Sequence, residues 1–210
     1  MYRLLISVFL MANSLPAASA QEAVRIVVLG DSLSAGYGLA PGEGFPAQLQ
    51  RALDQRGHKV TIIDAGVSGD TTRGGLARLD WSVPAEADAV IVELGGNDAL
   101  RGIEPDITRK SLDEIMTRLK ARNQAVLLAG MLAPPNMGDE YAGQFNAIYP
   151  ELAGAHDIAL YPFFLDGVAG NLSLNQPDGI HPTASGIAVI VEKILPQVEA
   201  LIDRVRQKSG

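Results

Sequence analysis

The chain has no cysteine among its 210 residues. That excludes disulfides, thiolate zinc sites, a cysteine nucleophile and a lipid-modified cysteine anchor. Basic residues are also in deficit: 17 Lys and Arg stand against 24 Asp and Glu, a net charge of −7. No basic block stands out, so nucleic acid is not an expected partner. No apolar run reaches the ~20 residues that cross a bilayer, so no stable membrane anchor is expected. The three histidines, His58, His156 and His181, are scattered, and without cysteine no metal constellation can be composed from them. The glycines from Gly36 to Gly44 do not form the G-x-x-x-x-G-K-[ST] loop that cradles phosphates. The expected cofactor and metal content is none.

The N-terminus has the three parts of an export signal. Arg3 is a short basic start, Leu4 to Ala12 is almost wholly apolar, and Ala18-Ser19-Ala20 is an A-x-A cleavage pattern. Residues 1–20 are therefore expected to be cleaved, which places the protein in the periplasm or outside the cell. Loss of Arg3 would take the net charge from −7 to −8. Residues 21–210 have the length of one ordinary domain with ample core, and a monomer is the expected state.

Apolar, β-rich runs alternate with helical patterns through the rest of the chain. Strands are expected over Val24 to Leu29, Val60 to Ile63, Ala89 to Leu94, Ala125 to Ala129 and Ile158 to Tyr161. Helices are expected over Phe45 to Arg56, near Leu76 and Leu79, and from Pro105 through Ile107, Leu112, Ile115 and Leu119. Another follows through Phe145, Ile148 and Leu152. The last runs from Ala184 to Val205, with Pro196 expected to kink or break it. Strand alternating with helix marks an open, five-stranded parallel sheet wrapped on both faces, a three-layer α/β/α domain.

In such sheets, sites lie beyond the carboxyl ends of the strands. Four blocks fall there: Gly30-Asp31-Ser32, Ser68-Gly69-Asp70-Thr71, Gly95-Gly96-Asn97-Asp98, and Asp178-Gly179-Ile180-His181. Each alone is a weak signal. Their order and common edge are not, because together they hold a hydroxyl, an imidazole, a carboxylate and oxyanion donors. Ser32 could serve as a turn or N-cap serine, with Ser34 as a rival hydroxyl, but Ser32 comes first after its strand. Residue 34 is serine, so this is not the G-x-S-x-G nucleophile elbow.

His58 reads as solvated beside Gly57 and Lys59, and His156 as a charge near a helix end. His181 differs, since Asp178 three residues earlier can hold one ring nitrogen while the other faces Ser32. Asn97 can donate its side-chain amide to an oxyanion. Gly69 can donate its backbone N–H, although Gly66 competes for that role. Asp31, Asp70 and Asp98 read as supporting or turn residues without chemistry of their own.

The stretches GDSLSAGYG, SGDTTRGGLARL, VELGGNDALRG and DGIHP resemble the four blocks of the SGNH (GDSL) hydrolases. The resemblance is closer still to the exported bacterial thioesterase I/lysophospholipase/arylesterase group. The likeness covers the chain from about Arg25 to the last helix, and no departure occurs at the motif positions. It implies a flavodoxin-like fold with Ser32 as nucleophile, His181 as base and Asp178 as its orienting acid. It also implies an oxyanion hole of Ser32, Gly69 and Asn97, and this register decides Gly69 over Gly66.

The resulting expectation is a serine esterase or thioesterase acting on small-molecule acyl substrates such as aryl esters, lysophospholipids and acyl-CoA-like thioesters. Leu100, Ile103, Leu132, Pro134, Met137 and Tyr141 are expected to line the acyl site, because they follow the third and fourth strands. A carbohydrate O-acetylesterase using the same residues, and a non-catalytic binding module, are the alternatives.

Overall fold

The structure is a computed structural model and describes residues 22–208. The expected signal, residues 1–20, lies outside that range. Five strands, β1 (Val24–Gly30), β2 (Val60–Gly66), β3 (Ala89–Glu93), β4 (Ala125–Ala129) and β5 (Ala159–Tyr161), form one sheet. All pairings are parallel and the spatial order is β2-β1-β3-β4-β5, the flavodoxin-like order. β3 and β4 are buried at every residue, which is why AVIVE and AVLLA are almost continuously apolar rather than alternating.

Eight α-helices lie among the described residues, α1 (Ser32–Ala35), α2 (Phe45–Gln55), α3 (Thr72–Ala77), α4 (Leu79–Ser82), α5 (Gly96–Leu100), α6 (Pro105–Ala121), α7 (Asp139–His156) and α8 (Ala184–Lys208), with one short 3₁₀ helix at Pro135–Met137. α2 and α8 pack together on one face of the sheet, and α3, α6 and α7 on the other. The three-layer expectation therefore holds. α8 buries Ile187, Ile190, Val191, Ile194, Val198, Leu201 and Ile202, the three-and-four spacing of a helix with one apolar face.

Three local expectations change. Pro196 does not break α8, and Pro150 lies within α7. Both prolines are exposed. On a solvent-facing side, water can take the carbonyl that a missing N–H leaves unpaired. The Leu76–Leu79 region is two short helices, α3 and α4, separated at Arg78. Ile107 does not join the core with Leu112, Ile115 and Leu119; it is exposed on the first turn of α6.

Register places the site. Gly30 at the end of β1 lies between Gly66 of β2 and Glu93 of β3. From β1 the chain runs outward in both directions across the sheet, so a crevice opens where β1 and β3 part. Arg78 closes the back of this edge, donating to the carbonyls of Gly30 at 2.8 Å and Ala65 at 2.7 Å and pairing with Asp70 at 2.6 Å.

Candidate active site

Ser32 begins α1 immediately beyond β1. Asp31 caps that turn, its Oδ1 accepting from the Leu33 N–H at 2.9 Å. Ser34 is unavailable as a rival hydroxyl: it is buried and donates to Glu93 Oε2 at 2.6 Å. Ser32 Oγ instead lies 2.9 Å from His181 Nε2, across 149 residues of sequence.

His181 is held from several sides. Its Nδ1 lies 2.7 Å from Asp178 Oδ2, so Nδ1 carries the proton and Nε2 accepts from Ser32. Asp178 Oδ1 meanwhile accepts from the backbone N–H groups of Ile180 at 2.9 Å and His181 at 3.0 Å. Those backbone donors, His181's first, together with the imidazole, hold the Asp178 carboxyl down at about 2. The Tyr37 ring packs against the imidazole with centroids 4.6 Å apart. Gln176 donates to the carbonyls of Tyr37 and Pro182, and its own N–H donates to the His181 carbonyl at 2.7 Å. The loop carrying Asp178 and His181 is thereby tied to the segment that follows Ser32.

Gly69 and Asn97 reach the same place from β2 and β3, and both line the cavity in front of Ser32. Gly69 has φ of +85°, a conformation few side chains tolerate, and its carbonyl accepts from Arg101 at 2.8 Å. Gly66 is turned elsewhere: its N–H donates to Asp64, and an added Cβ would come within 2.6 Å of Ala35 N. Among the described residues, neither the Ser32 nor the Gly69 N–H donates to a protein acceptor. Asn97 Nδ2 donates one of its two hydrogens to Asp31 Oδ2 at 2.9 Å. A hydroxyl in contact with an oriented imidazole, beside uncommitted N–H donors, is the equipment of nucleophilic acyl transfer.

The cavity has a volume of about 790 Å³ and is walled mainly by apolar groups. Of the six residues expected in the acyl site, Leu100, Leu132 and Pro134 line it. Ile103, Met137 and Tyr141 do not: the Tyr141 hydroxyl donates to the Ile103 carbonyl at 2.8 Å and its ring stacks on Phe145, so these residues tie the chain after α5 to α7. Sequence reasoning missed further lining residues, Phe163, Leu165 and Ala169 after β5, together with Met131. Their only signal was position, as they too follow strands on the same edge.

The other two histidines pair away from the cavity. His58 is not simply solvated but lies 3.0 Å from Glu199 on α8, and His156 lies 2.6 Å from Asp113 on α6. Asp98, buried on α5, accepts from Thr72 N at 2.8 Å, Thr72 Oγ1 at 2.6 Å and Thr108 Oγ1 at 3.1 Å, which locks α3, α5 and α6 together beneath Asn97.

Known proteins resemble this chain along most of its length. The chain is 39% identical over 181 residues to Esterase TesA of Pseudomonas aeruginosa, covering 86% of this chain and 90% of that one. It is also 39% identical over 185 residues to thioesterase 1/protease 1/lysophospholipase L1 of Escherichia coli K12, covering 88% of each. The crystal structure of AlinE4, described as an SGNH-hydrolase family esterase, superposes with a TM-score of 0.73 at 46% identity, over 87% of this chain and 98% of that one. Residues 28–189, from within β1 into α8, match the GDSL-like Lipase/Acylhydrolase family. The chain belongs to that family and is a carboxylic ester hydrolase.

Proposed function

We propose that the enzyme hydrolyses esters and thioesters of apolar acyl groups through an acyl-enzyme on Ser32. His181 Nε2 takes the Ser32 proton as Oγ attacks the acyl carbonyl, and Asp178 stabilises the imidazolium that forms. The oxyanion is held by the N–H groups of Ser32 and Gly69 and by the second hydrogen of Asn97 Nδ2. His181 then protonates the leaving alkoxide or thiolate. In the second half, a water loses its proton to His181 as it attacks the ester carbonyl, and Ser32 leaves with the proton returned.

The observation that carries this reading is the unbroken Ser32–His181–Asp178 relay, 2.9 Å and 2.7 Å long, at an apolar cavity. That cavity favours an acyl chain over an acetylated glycan, whose hydroxyl groups would find few partners there. Ser32→Ala is expected to lower kcat for a p-nitrophenyl ester by ~10⁴–10⁶-fold. A loss below about tenfold would overturn Ser32 as nucleophile.

We also propose export, resting on Arg3, the Leu4–Ala12 run and Ala18-Ser19-Ala20. The intact mass of the protein recovered from outside the cytoplasm should begin at Gln21. A chain retaining Met1 there would refute cleavage.

A further inference from the structure

A buried pair of carboxyl groups stands behind the nucleophile and takes no part in the proton relay. Asp31 and Glu93 are 1% and 0% exposed. Glu93 closes β3 within an otherwise apolar run, and its Oε2 accepts from Ser34 Oγ at 2.6 Å and from the Asp31 N–H at 3.3 Å. Gly30 makes room for it, since a Cβ there would lie 2.6 Å from Oε2 and collide with Ser34. Glu93 thus fixes the backbone at residue 31. Asp31 in turn spends one oxygen on the Leu33 N–H and the other on Asn97 Nδ2, both at 2.9 Å.

We propose that Asp31 is the positioning residue of the oxyanion hole: its carboxylate fixes the amide of Asn97 so that nitrogen, not oxygen, faces the substrate. The proposal rests on the acyl-transfer reading above. An Asn side chain has an acceptor and a donor end of nearly equal size, so something must choose between them. A carboxylate can only accept, so it selects nitrogen. The remaining hydrogen on that nitrogen is then available to the oxyanion.

The charge distribution fits. Burial and the neighbouring Asp31 push the Glu93 carboxyl well above its ordinary range, so the pair's single charge goes to Asp31, which has the better donors. Burial raises Asp31 itself to about 6, against the lowering effect of Leu33, Asn97 and His181. Glu93, Asp70, His181 and Tyr149 are the titratable groups that act on it electrostatically, and Arg78 reaches the neighbouring Gly30 carbonyl.

The test is a cycle of Asp31→Asn, Asn97→Ala and the double variant, assayed on one p-nitrophenyl ester at pH 8. The carboxamide introduced by Asp31→Asn can still accept from the Leu33 N–H, but its NH₂ would face Asn97 and turn that amide oxygen-out. Each single variant is expected to lower kcat by ~10²–10³-fold, with KM changed by less than about threefold. The double should be no more than about threefold below Asn97→Ala, because the second change removes nothing further. Overturning results are an Asp31→Asn kcat within about twofold of wild type, or a double-variant loss equal to the product of the singles.

If Asp31→Asn does not fold, the wild-type protein decides by NMR. The Asn97 side-chain amide should titrate with the same midpoint as the Asp31 carboxyl carbon, and an unmoved amide would refute the contact. An inactive Ser32→Ala with an unaffected Asp31→Asn would sink this inference alone. An active Ser32→Ala would sink the acyl-transfer reading first.

Discussion

Three donors converge on the Asp178 carboxylate, and two of them are backbone N–H groups from its own turn. Because they favour the charged form, the folded pKa of about 2 lies below the ordinary value of 3.8. The associated stability is therefore present above the ordinary value and is lost as pH falls through about 2. Its size is limited, as the Asp178 side chain is 38% exposed. The consequence for catalysis is larger. Asp178 stays charged at any pH well above about 2, so an acid limb of the pH–rate profile lying above that range does not belong to it. Asp178→Asn would keep an oxygen for the two backbone donors but present NH₂ to Nδ1, which forces the proton onto Nε2 and blocks acceptance from Ser32. A loss in kcat of ~10³–10⁴-fold is expected at the pH optimum, with a nearly unchanged melting temperature. A loss below about tenfold in steady-state kinetics would remove Asp178 from its assigned role.

At the scale of elements, legibility followed periodicity. β1, β3 and β4 were visible because burial on both faces makes a strand continuously apolar, while the partly buried edge strands β2 and β5 showed only as short apolar runs; the observed bounds differ from the expected ones at the ends. α8 was legible for the complementary reason, a long three-and-four pattern. Pro196 misled because a proline's cost depends on which face it occupies, and the exposed face tolerates the lost hydrogen bond. The candidate site was legible where a motif carried it: Ser32, Gly69, Asn97, Asp178 and His181 all border the cavity or its relay. The lining after β5 was not, because Phe163, Leu165 and Ala169 sit in a loop of turns with no period to read. Nor was the Asp31–Asn97 contact, which spans 66 residues and joins two strand ends that only the fold brings together. Glu93 was hidden by its company, one acid at the end of AVIVE. Its meaning lies in the register that sets it opposite Gly30.

In the proposed acyl-transfer mechanism, the whole molecule divides the labour of catalysis between two halves of one edge. At the switch point, β1 and β3 supply the rigid chemical groups, Ser32 and Asn97, on a backbone held by Arg78, Glu93 and Asp98. Beyond them, the chain after β4 and β5 supplies apolar walls, Met131, Leu132, Phe163 and Leu165. On that proposal, chemistry and acyl recognition rest on different segments and should respond separately to mutation. Each methylene buried in the cavity is worth up to ~0.8 kcal/mol, a factor of about four. Across p-nitrophenyl esters, kcat/KM should thus climb from acetate with chain length, by no more than about fourfold per carbon, and level off once the cavity is filled. Leu165→Asp would set a charge among those walls and oblige it to lose water whenever a chain enters. Its kcat/KM for an octanoyl ester should fall by at least ~10-fold, with the acetyl ester within about threefold of wild type. Equal losses on both esters would show that the wall after β5 supports the catalytic groups rather than the acyl chain. A flat chain-length profile in the wild-type enzyme would show that the cavity takes the leaving group instead.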